Sequence, residues 1–330
     1  MDCIIPSQSV KPFCTAIGCL SRVGKEIYFD FDPIDGLTLR ALNDAKSVFC
    51  SFHYEPLFFQ RCTAAMNTTS RKRKATSQQR SSQDDDRWTV RLQVKALSAV
   101  VRPRKHVLSL RLHATDNGLL SFEFQIQKQA ATVRVVHRIG VADAQGVAAV
   151  APKAGASEMV VRPGVLLRML EPLKRTAEIA LIVSDEYKLV SAVTFHHDDI
   201  QEEASIFTKP AALKTETSIG VDDLHDFDYQ SSPPTDQISP NDPNPPPENL
   251  KEQVILVLSI KEFKAMLQFC ANSHVDQELQ VSISFFWGGK PLVVETSAEG
   301  FSAQLVMATL DHKLLAAMKT TPRESTGGQE

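Results

Sequence analysis

Two histidines run directly into two aspartates at His196-His197-Asp198-Asp199, and imidazole beside carboxylate is the side-chain chemistry of a divalent metal site. The run falls at an expected strand end. Adjacent strand residues point to opposite faces, so at most alternate members can share one ion. No second acidic cluster with usable spacing occurs in the parts expected to fold. A polar strand end entering an acidic loop therefore accounts for it, and a metal-dependent nuclease or phosphoesterase stands as the alternative. There is no Gly-rich phosphate loop and no nucleophile-elbow motif. We assign no catalytic residue, no metal ligand and no cofactor. The six cysteines (3, 14, 19, 50, 62, 270) form no C-x-x-C pair and sit mostly in apolar runs. They read as reduced, buried thiols of an intracellular protein.

The cations carry the clearer pattern. At helical spacing Lys11, Thr15, Gly18 and Arg22 share one stripe opposite Val10, Phe13, Ile17 and Leu20. Lys95 and Arg102 oppose Val94, Leu97 and Val101. Arg168 and Arg175 oppose Leu166, Leu170 and Leu173, with Glu171 diluting the stripe. Lys261, Lys264 and Gln268 oppose Phe263, Met266, Leu267 and Cys270. Each is an apolar face for a sheet backed by a face of Lys or Arg with few acids. Scattered basic side chains of this kind suit sequence-independent neutralisation of duplex phosphates without base reading. No aromatic stacking platform for single strands accompanies them. Ordinary solvated helix faces remain the plain alternative for any one of the four.

The overall charge of −3 conceals an asymmetry. Residues 198–252 hold thirteen Asp or Glu against three Lys, and the remainder holds 33 Lys or Arg against 26 Asp or Glu. A basic body can face a polyanion while its acidic segment is repelled from it.

The elements that position these side chains follow from periodicity. Ile27/Phe29/Phe31, Val90/Leu92/Val94, Leu108/Leu110/Leu112, Ile179/Leu181/Val183, Val281/Ile283/Phe285 and Phe301/Ala303/Leu305/Met307 alternate as half-buried antiparallel strands do. Pro33-Ile34-Asp35-Gly36, Asp116-Asn117-Gly118 and Gly288-Gly289-Lys290-Pro291 read as hairpin turns. Helices are expected at 9–23, 94–102, 163–175 and 260–273, each directly after a strand. Ser259-x-x-Glu262 is a capping box for the fourth, and Pro172 ends or kinks the third. Strand, helix, several strands recurs four times, two units per domain. Residues 63–87 and 198–252 lack periodicity and read as disordered inserts, basic and acidic Pro-rich respectively. The small-residue stretch 141–157 reads as a connector between two domains, 1–140 and 158–312, with a short flexible tail at 313–330. No run of eighteen apolar residues is present, so no membrane helix is expected, and MDCIIPSQSV lacks the marks of a secretory signal.

The run LSRVGKEIYFDFDPIDGLTLRALNDAKSVFCSFHYEPLFFQRC at 20–62 resembles the N-terminal domain of Rad-nine checkpoint clamp subunits. Leu20-Ser21-Arg22-Val23-Gly24, Asp35-Gly36-Leu37-Thr38-Leu39-Arg40 and Pro56-Leu57-Phe58-Phe59 carry the resemblance. Ile260-Lys261-Glu262-Phe263-Lys264 with Leu267-Gln268-Phe269 resembles the family's last helix, and Val306-Met307-Ala308-Thr309-Leu310 its final strand. Together they cover about two thirds of the sequence, 63–87 and 198–252 excepted. The resemblance implies an α+β sliding-clamp fold, with two similar domains, antiparallel sheets outside and four helices on the inner face of a ring. It implies Rad-one and Hus-one partners, a dedicated clamp loader, repair enzymes docking on the connector, no membrane, and a nuclear, non-catalytic role at damaged DNA. The basic stripes then become the DNA-facing wall: Lys11, Arg22, Lys95, Arg102, Arg168, Arg175, Lys261 and Lys264. A germ-cell paralogue or a self-assembling replication clamp shares the fold and differs in partners, and a ringless nuclear adaptor is the reading without DNA linkage.

Two features depart from that family. Its members typically end in a long phosphorylated tail, whereas this sequence stops at Glu330, about twenty residues after the last expected strand. The 63–87 insert sets Arg71-Lys72-Arg73-Lys74, a nuclear-import candidate, beside Ser77-Gln78 and Ser82-Gln83, the dipeptide that damage-responsive kinases prefer. Ser232-Pro233 and Ser239-Pro240 are candidates for proline-directed kinases.

Overall fold

The computed structural model describes residues 1–63, 88–102, 104–115, 118–173, 176–196, 213–233, 245–247, 250–273 and 278–310. The chain divides into two compact units. The first comprises Met1–Ala149 with Phe269–Leu279 and Glu295–Leu305, and the second Val150–Gln268, Gln280–Val294 and Val306–Glu330.

The first unit opens with β1 (Asp2–Pro6), α1 (Ser7–Val23), β2 (Glu26–Asp32), β3 (Gly36–Leu42), β4 (Val48–Tyr54) and β5 (Arg61–Thr63). It continues with β6 (Trp88–Gln93), α2 (Val94–Val100), β7 (Val107–Thr115), β8 (Leu119–Lys128), β9 (Ala131–Gly140) and β10 (Ala142–Asp143). Its strands run antiparallel in the orders β5-β1-β7-β8-β9 and β10-β6-β2-β3-β4. Period-two patterning decides which face each strand buries. Ile27, Phe29 and Phe31 of β2 are fully or nearly fully buried, as are Leu37, Leu39 and Ala41 of β3. α1 packs its apolar stripe against β1, β2, β3, β4 and β7, strands of both sheets.

One alternation departs from expectation. Leu108 is 44% exposed while Leu110 and Leu112 are buried. The register of β7 against β8 shifts between Val107 and Ser109, and this bulge turns Leu108 outward. The cysteine reading is corrected as well: Cys3 and Cys62 form a disulfide. Their separation of 59 residues leaves no local motif, but Cys3 stands directly opposite Cys62 in the β1–β5 pair, with Cα atoms 4.0 Å apart. Cys19, Cys50 and Cys270 are free and buried, and desolvation raises the Cys50 and Cys270 thiols. Cys14 is also free, its thiol pushed up to about 12 by burial.

The second unit begins with β11 (Ser157–Val161), α3 (Pro163–Met169), β12 (Glu178–Ser184), β13 (Leu189–His196), β14 (Leu213–Gly220) and β15 (Asp226–Asp228). Then come β16 (Gln253–Ser259), α4 (Ile260–Asn272), β17 (Val281–Phe285), β18 (Leu292–Ala298) and β19 (Phe301–Met307), with α4, β18 and β19 passing from one unit to the other along the chain. β14-β13-β12-β16 form an antiparallel sheet, and β11 is flanked by β15 and β17. α3 stops at Met169, short of the expected 175, because Pro172 disfavours helical backbone before it.

Residues 213–230 correct the expectation of disorder across 198–252. β14 pairs along its whole length with β13, and β15 pairs with β11. Average acidity hid a local β pattern: Thr215, Thr217 and Ile219 alternate, and Thr217 Oγ1 donates to the Met169 carbonyl at 2.8 Å. Phe227 and Tyr229 stack at 6.2 Å, and Tyr229 donates its hydroxyl proton to the Leu250 carbonyl at 2.6 Å. Residues 64–87, including Arg71, Lys72, Arg73, Lys74, Ser77 and Ser82, lie outside the described residues, as do Arg175 and Ser239.

The bulge makes a sharp prediction. Leu110→Ala removes a fully buried side chain and costs about 2–5 kcal/mol, whereas Leu108→Ala stays within about 0.5 kcal/mol. Urea-unfolding midpoints of the two variants check the difference, and equal losses would contradict the bulged register.

Candidate nucleic-acid interface

α1 buries Val10, Phe13, Ala16, Ile17, Leu20 and Val23 and turns Lys11, Gly18 and Arg22 to solvent. Two hydroxyls on the outer side are satisfied by the helix itself: Thr15 Oγ1 donates to the Lys11 carbonyl at 2.8 Å and Ser21 Oγ to the Gly18 carbonyl at 2.7 Å. A Cβ on Gly18 would meet nothing within 4 Å, so the middle of this stripe is open. Arg22 lies in the last turn, where the helix dipole favours a cation.

α2 packs against α1 and buries Leu97 and Val100. Its outer side carries Lys95 among Ala96, Ser98 and Ala99, with Arg102 exposed just past its end. In the second unit α3 buries Pro163, Leu166 and Met169 and exposes Arg168, with Glu171 exposed after it. On α4, Lys261 is exposed and its Nζ lies 3.8 Å from Glu262 Oε1. Glu262 is itself buried and accepts a hydrogen bond from Ser259 Oγ, a side-chain contact between the two residues of the expected capping box.

Lys264 does something else. It is half-buried, and its Nζ donates to the Leu170 carbonyl at 2.7 Å, satisfying a carbonyl at the C-terminal end of α3. The helical spacing of Lys264 was the same as that of an outer cation; the length of a lysine stem lets it reach back to a neighbouring helix. Its first role is to tie α3 to α4.

The strands treat their arginines differently. Arg111 makes a two-pronged pair with Asp2 at 2.7 and 2.8 Å, and Arg61 reaches the same carboxylate at 2.9 Å. Arg134 pairs with Glu123 at 2.6 and 2.7 Å, and Arg91 faces Glu26. The Arg111 guanidinium holds Asp2 below its ordinary carboxyl value, and Arg134 does the same for Glu123. Sequence reasoning passed over this ladder, although Asp2, Arg111, Glu123 and Arg134 all occupy outward positions of alternating strands. By contrast α1, α2 and α3 contain no acidic residue at all. In the first unit's sheets Arg61, Arg91, Arg111 and Arg134 each meet a carboxylate of a neighbouring strand.

Among the described residues no group of three or more His, Cys, Asp or Glu side chains is placed to hold a metal. His196 is the last residue of β13, and His197, Asp198 and Asp199 lie outside the described residues.

With these elements in place the comparison with known proteins is decisive. The sequence matches the Rad9 family over residues 13–310. This chain belongs to the Rad9 family. Its fold matches PCNA from Thermococcus kodakaraensis with a TM-score of 0.63 at 13% identity, covering 93% of this chain and 99% of that one. It also matches the PCNA2–PCNA3 complex of Sulfolobus tokodaii (TM-score 0.61, 10% identity, 94% and 99% covered). A third match is proliferating cellular nuclear antigen from Entamoeba histolytica (TM-score 0.60, 12% identity, 94% and 98% covered). At these identities the structures speak to fold alone, and the fold is that of a sliding clamp. The Rad9-family chain is a clamp subunit.

Because Asp2 and Glu123 have lowered folded values, their pairing stabilises the chain above the ordinary carboxyl values of 3.8 and 4.5, and that contribution is lost as pH falls through the lower folded values. Arg111→Met should therefore flatten the loss of stability between roughly pH 5 and pH 2. Denaturant midpoints across that range test it, and an unchanged slope would contradict the pairing.

Proposed function

We propose that this Rad9-family chain is the non-catalytic subunit of a heterotrimeric ring that encircles duplex DNA at sites of damage, with Rad-one-type and Hus-one-type subunits as its partners. The observation that carries the reading is where the cations lie: α1, α2 and α3 set Lys11, Arg22, Lys95 and Arg168 on exposed faces and contain no Asp or Glu, while Arg61, Arg91, Arg111 and Arg134 of the strands pair with carboxylates. A clamp needs such helix faces toward the phosphates. Each contact is weak and screened by salt, and the ring slides because no base is read.

Two strand edges support assembly. β9 ends the order β5-β1-β7-β8-β9, and β14 ends the order β14-β13-β12-β16. They are ten and eight residues long, which gives each a row of backbone groups for pairing with another chain. The Sulfolobus tokodaii match is a complex of two different PCNA chains, a precedent for mixed clamps.

On this reading a dedicated clamp loader opens the ring, residues 141–157 and the sheet faces receive repair enzymes, and the complex supports checkpoint signalling from the nucleus. Arg71, Lys72, Arg73 and Lys74 serve nuclear import, and Ser77, Ser82, Ser232 and Ser239 are the phosphorylation sites. Ser232 is exposed among the described residues.

The solution mass of the chain co-expressed with Rad-one-type and Hus-one-type subunits tests the proposal. We expect a one-to-one-to-one assembly. Lys11→Glu with Arg22→Glu and Lys95→Glu should then weaken DNA retention and reduce its salt slope by about one unit per lost phosphate contact. A monomer that ignores both subunits would reject the ring, and a homotrimer would reassign the chain to a replication-type clamp.

A further inference from the structure

The turn after β2 and the turn after β4 end in two apolar side chains held away from the core. Ile34 is 80% exposed and Leu57 is 73% exposed. Neither tip is loose. Asp32 Oδ1 accepts from the backbone N–H of Ile34 at 2.9 Å and of Asp35 at 3.2 Å. Gly36 follows with φ of 103°, and a Cβ there would lie 2.1 Å from the Tyr54 carbonyl oxygen, so only glycine lets the turn close against β4. Leu57 sits in a single 3-10 turn, Pro56–Phe58, whose Phe58 ring packs 4.5 Å from Tyr54 and 6.1 Å from Phe301. Both tips are thus anchored on Tyr54.

Outward residues of β2, β3 and β4 line a cavity of about 510 Å³ beside these tips. Its floor is internally satisfied. Asp30, 6% exposed, accepts from Arg40 Nη1 at 2.6 Å and from Thr89 Oγ1 at 2.9 Å, while Thr38 and His53 Nδ1 share a hydrogen bond at 3.0 Å. The rim is different in kind. Asp32, Asp35 and Glu55 line it, and Arg40, committed to Asp30, is the only Lys or Arg among the described lining residues. The result is a concave, negative sheet face with Ile34 in its lining and Leu57 directly following the lining residue Pro56.

We propose that this cavity docks a short extended segment of a protein partner. A Lys or Arg of that segment sits among Asp32, Asp35 and Glu55, and its apolar neighbours rest on Ile34 and Leu57. Charge complementarity selects the occupant: the rim repels nucleic acid and acidic peptides and attracts a cation whose methylene stem can lie along Ile34 and Pro56. The volume suits one or two side chains of an extended strand, and a preorganised rim loses little freedom on binding. The site lies on the strands of the first unit, so it operates whether or not the helices face DNA.

Panning the full-length chain against phage-displayed random short peptides tests the proposal, followed by titration of the enriched peptide made synthetically. We expect enriched sequences to place Lys or Arg beside Leu, Ile or Phe. Asp35→Lys with Glu55→Lys, and separately Ile34→Ser with Leu57→Ser, should each weaken binding on the order of tenfold or more while leaving the thermal unfolding profile in place. Failure to enrich basic peptides, or unchanged binding by both double variants, overturns the site. Replacing Arg71, Lys72, Arg73 and Lys74 with alanine should leave the affinity unchanged. A severalfold rise would mean that the chain's own basic segment fills the cavity, and the partner assignment would fall.

Discussion

Burial of one face of α1 against strands of two sheets is the constraint on which the first unit depends. Phe13, Ala16 and Leu20 are wholly excluded from solvent, and they can be so only if the helix lies with one rotational phase on β1, β2, β3, β4 and β7. That phase leaves no freedom for the rest of the helix. Lys11, Gly18 and Arg22 are placed outward by the same turn of 100° per residue that places Phe13 inward. Burying side chains of this size is worth about 1.5–3 kcal/mol each. A surface ion pair is worth about 0–1 kcal/mol, so packing wins and the position of the cations follows from the core.

Charge then sorts by element. Across the first unit's strands Arg111 is met by Asp2 and Arg134 by Glu123. Such pairs hold register and contribute little net attraction for a distant polyanion, because the field of one partner cancels the other. α1, α2 and α3 bring exposed Lys11, Arg22, Lys95 and Arg168 and no Asp or Glu of their own. The same chain therefore carries surfaces of opposite charge. In the proposed function the helix faces meet phosphate, and in the proposed docking the acidic rim at Asp32, Asp35 and Glu55 meets a cation of another protein.

Much of this was legible in the residues. The four helices begin within two residues of the positions that periodicity indicates, and the alternating runs from Ile27 to Phe31 and from Val281 to Phe285 bury as they read. Four features were not legible, each for a physical reason. The bulge at Leu108 is a register event with no residue signature of its own. Cys3 and Cys62 meet only because β1 and β5 pair, which is long-range information. Residues 213–230 are acidic on average yet alternate where it matters, and their carboxylates can face water because β14 and β15 end their sheets. Lys264 has the spacing of an outer cation, and only the reach of its side chain to Leu170 makes it a helix tie.

The central claim is topological: a clamp holds DNA by surrounding it. The most direct measurement is retention of the loaded assembly on closed circular duplex DNA at high salt, before and after one cut by a restriction enzyme. If the chain forms a ring, the complex persists on the circle at salt concentrations that screen phosphate contacts and is lost from the free ends once the DNA is linearised. Equal retention on circular and linear DNA, or loss from both with rising salt, would contradict encirclement.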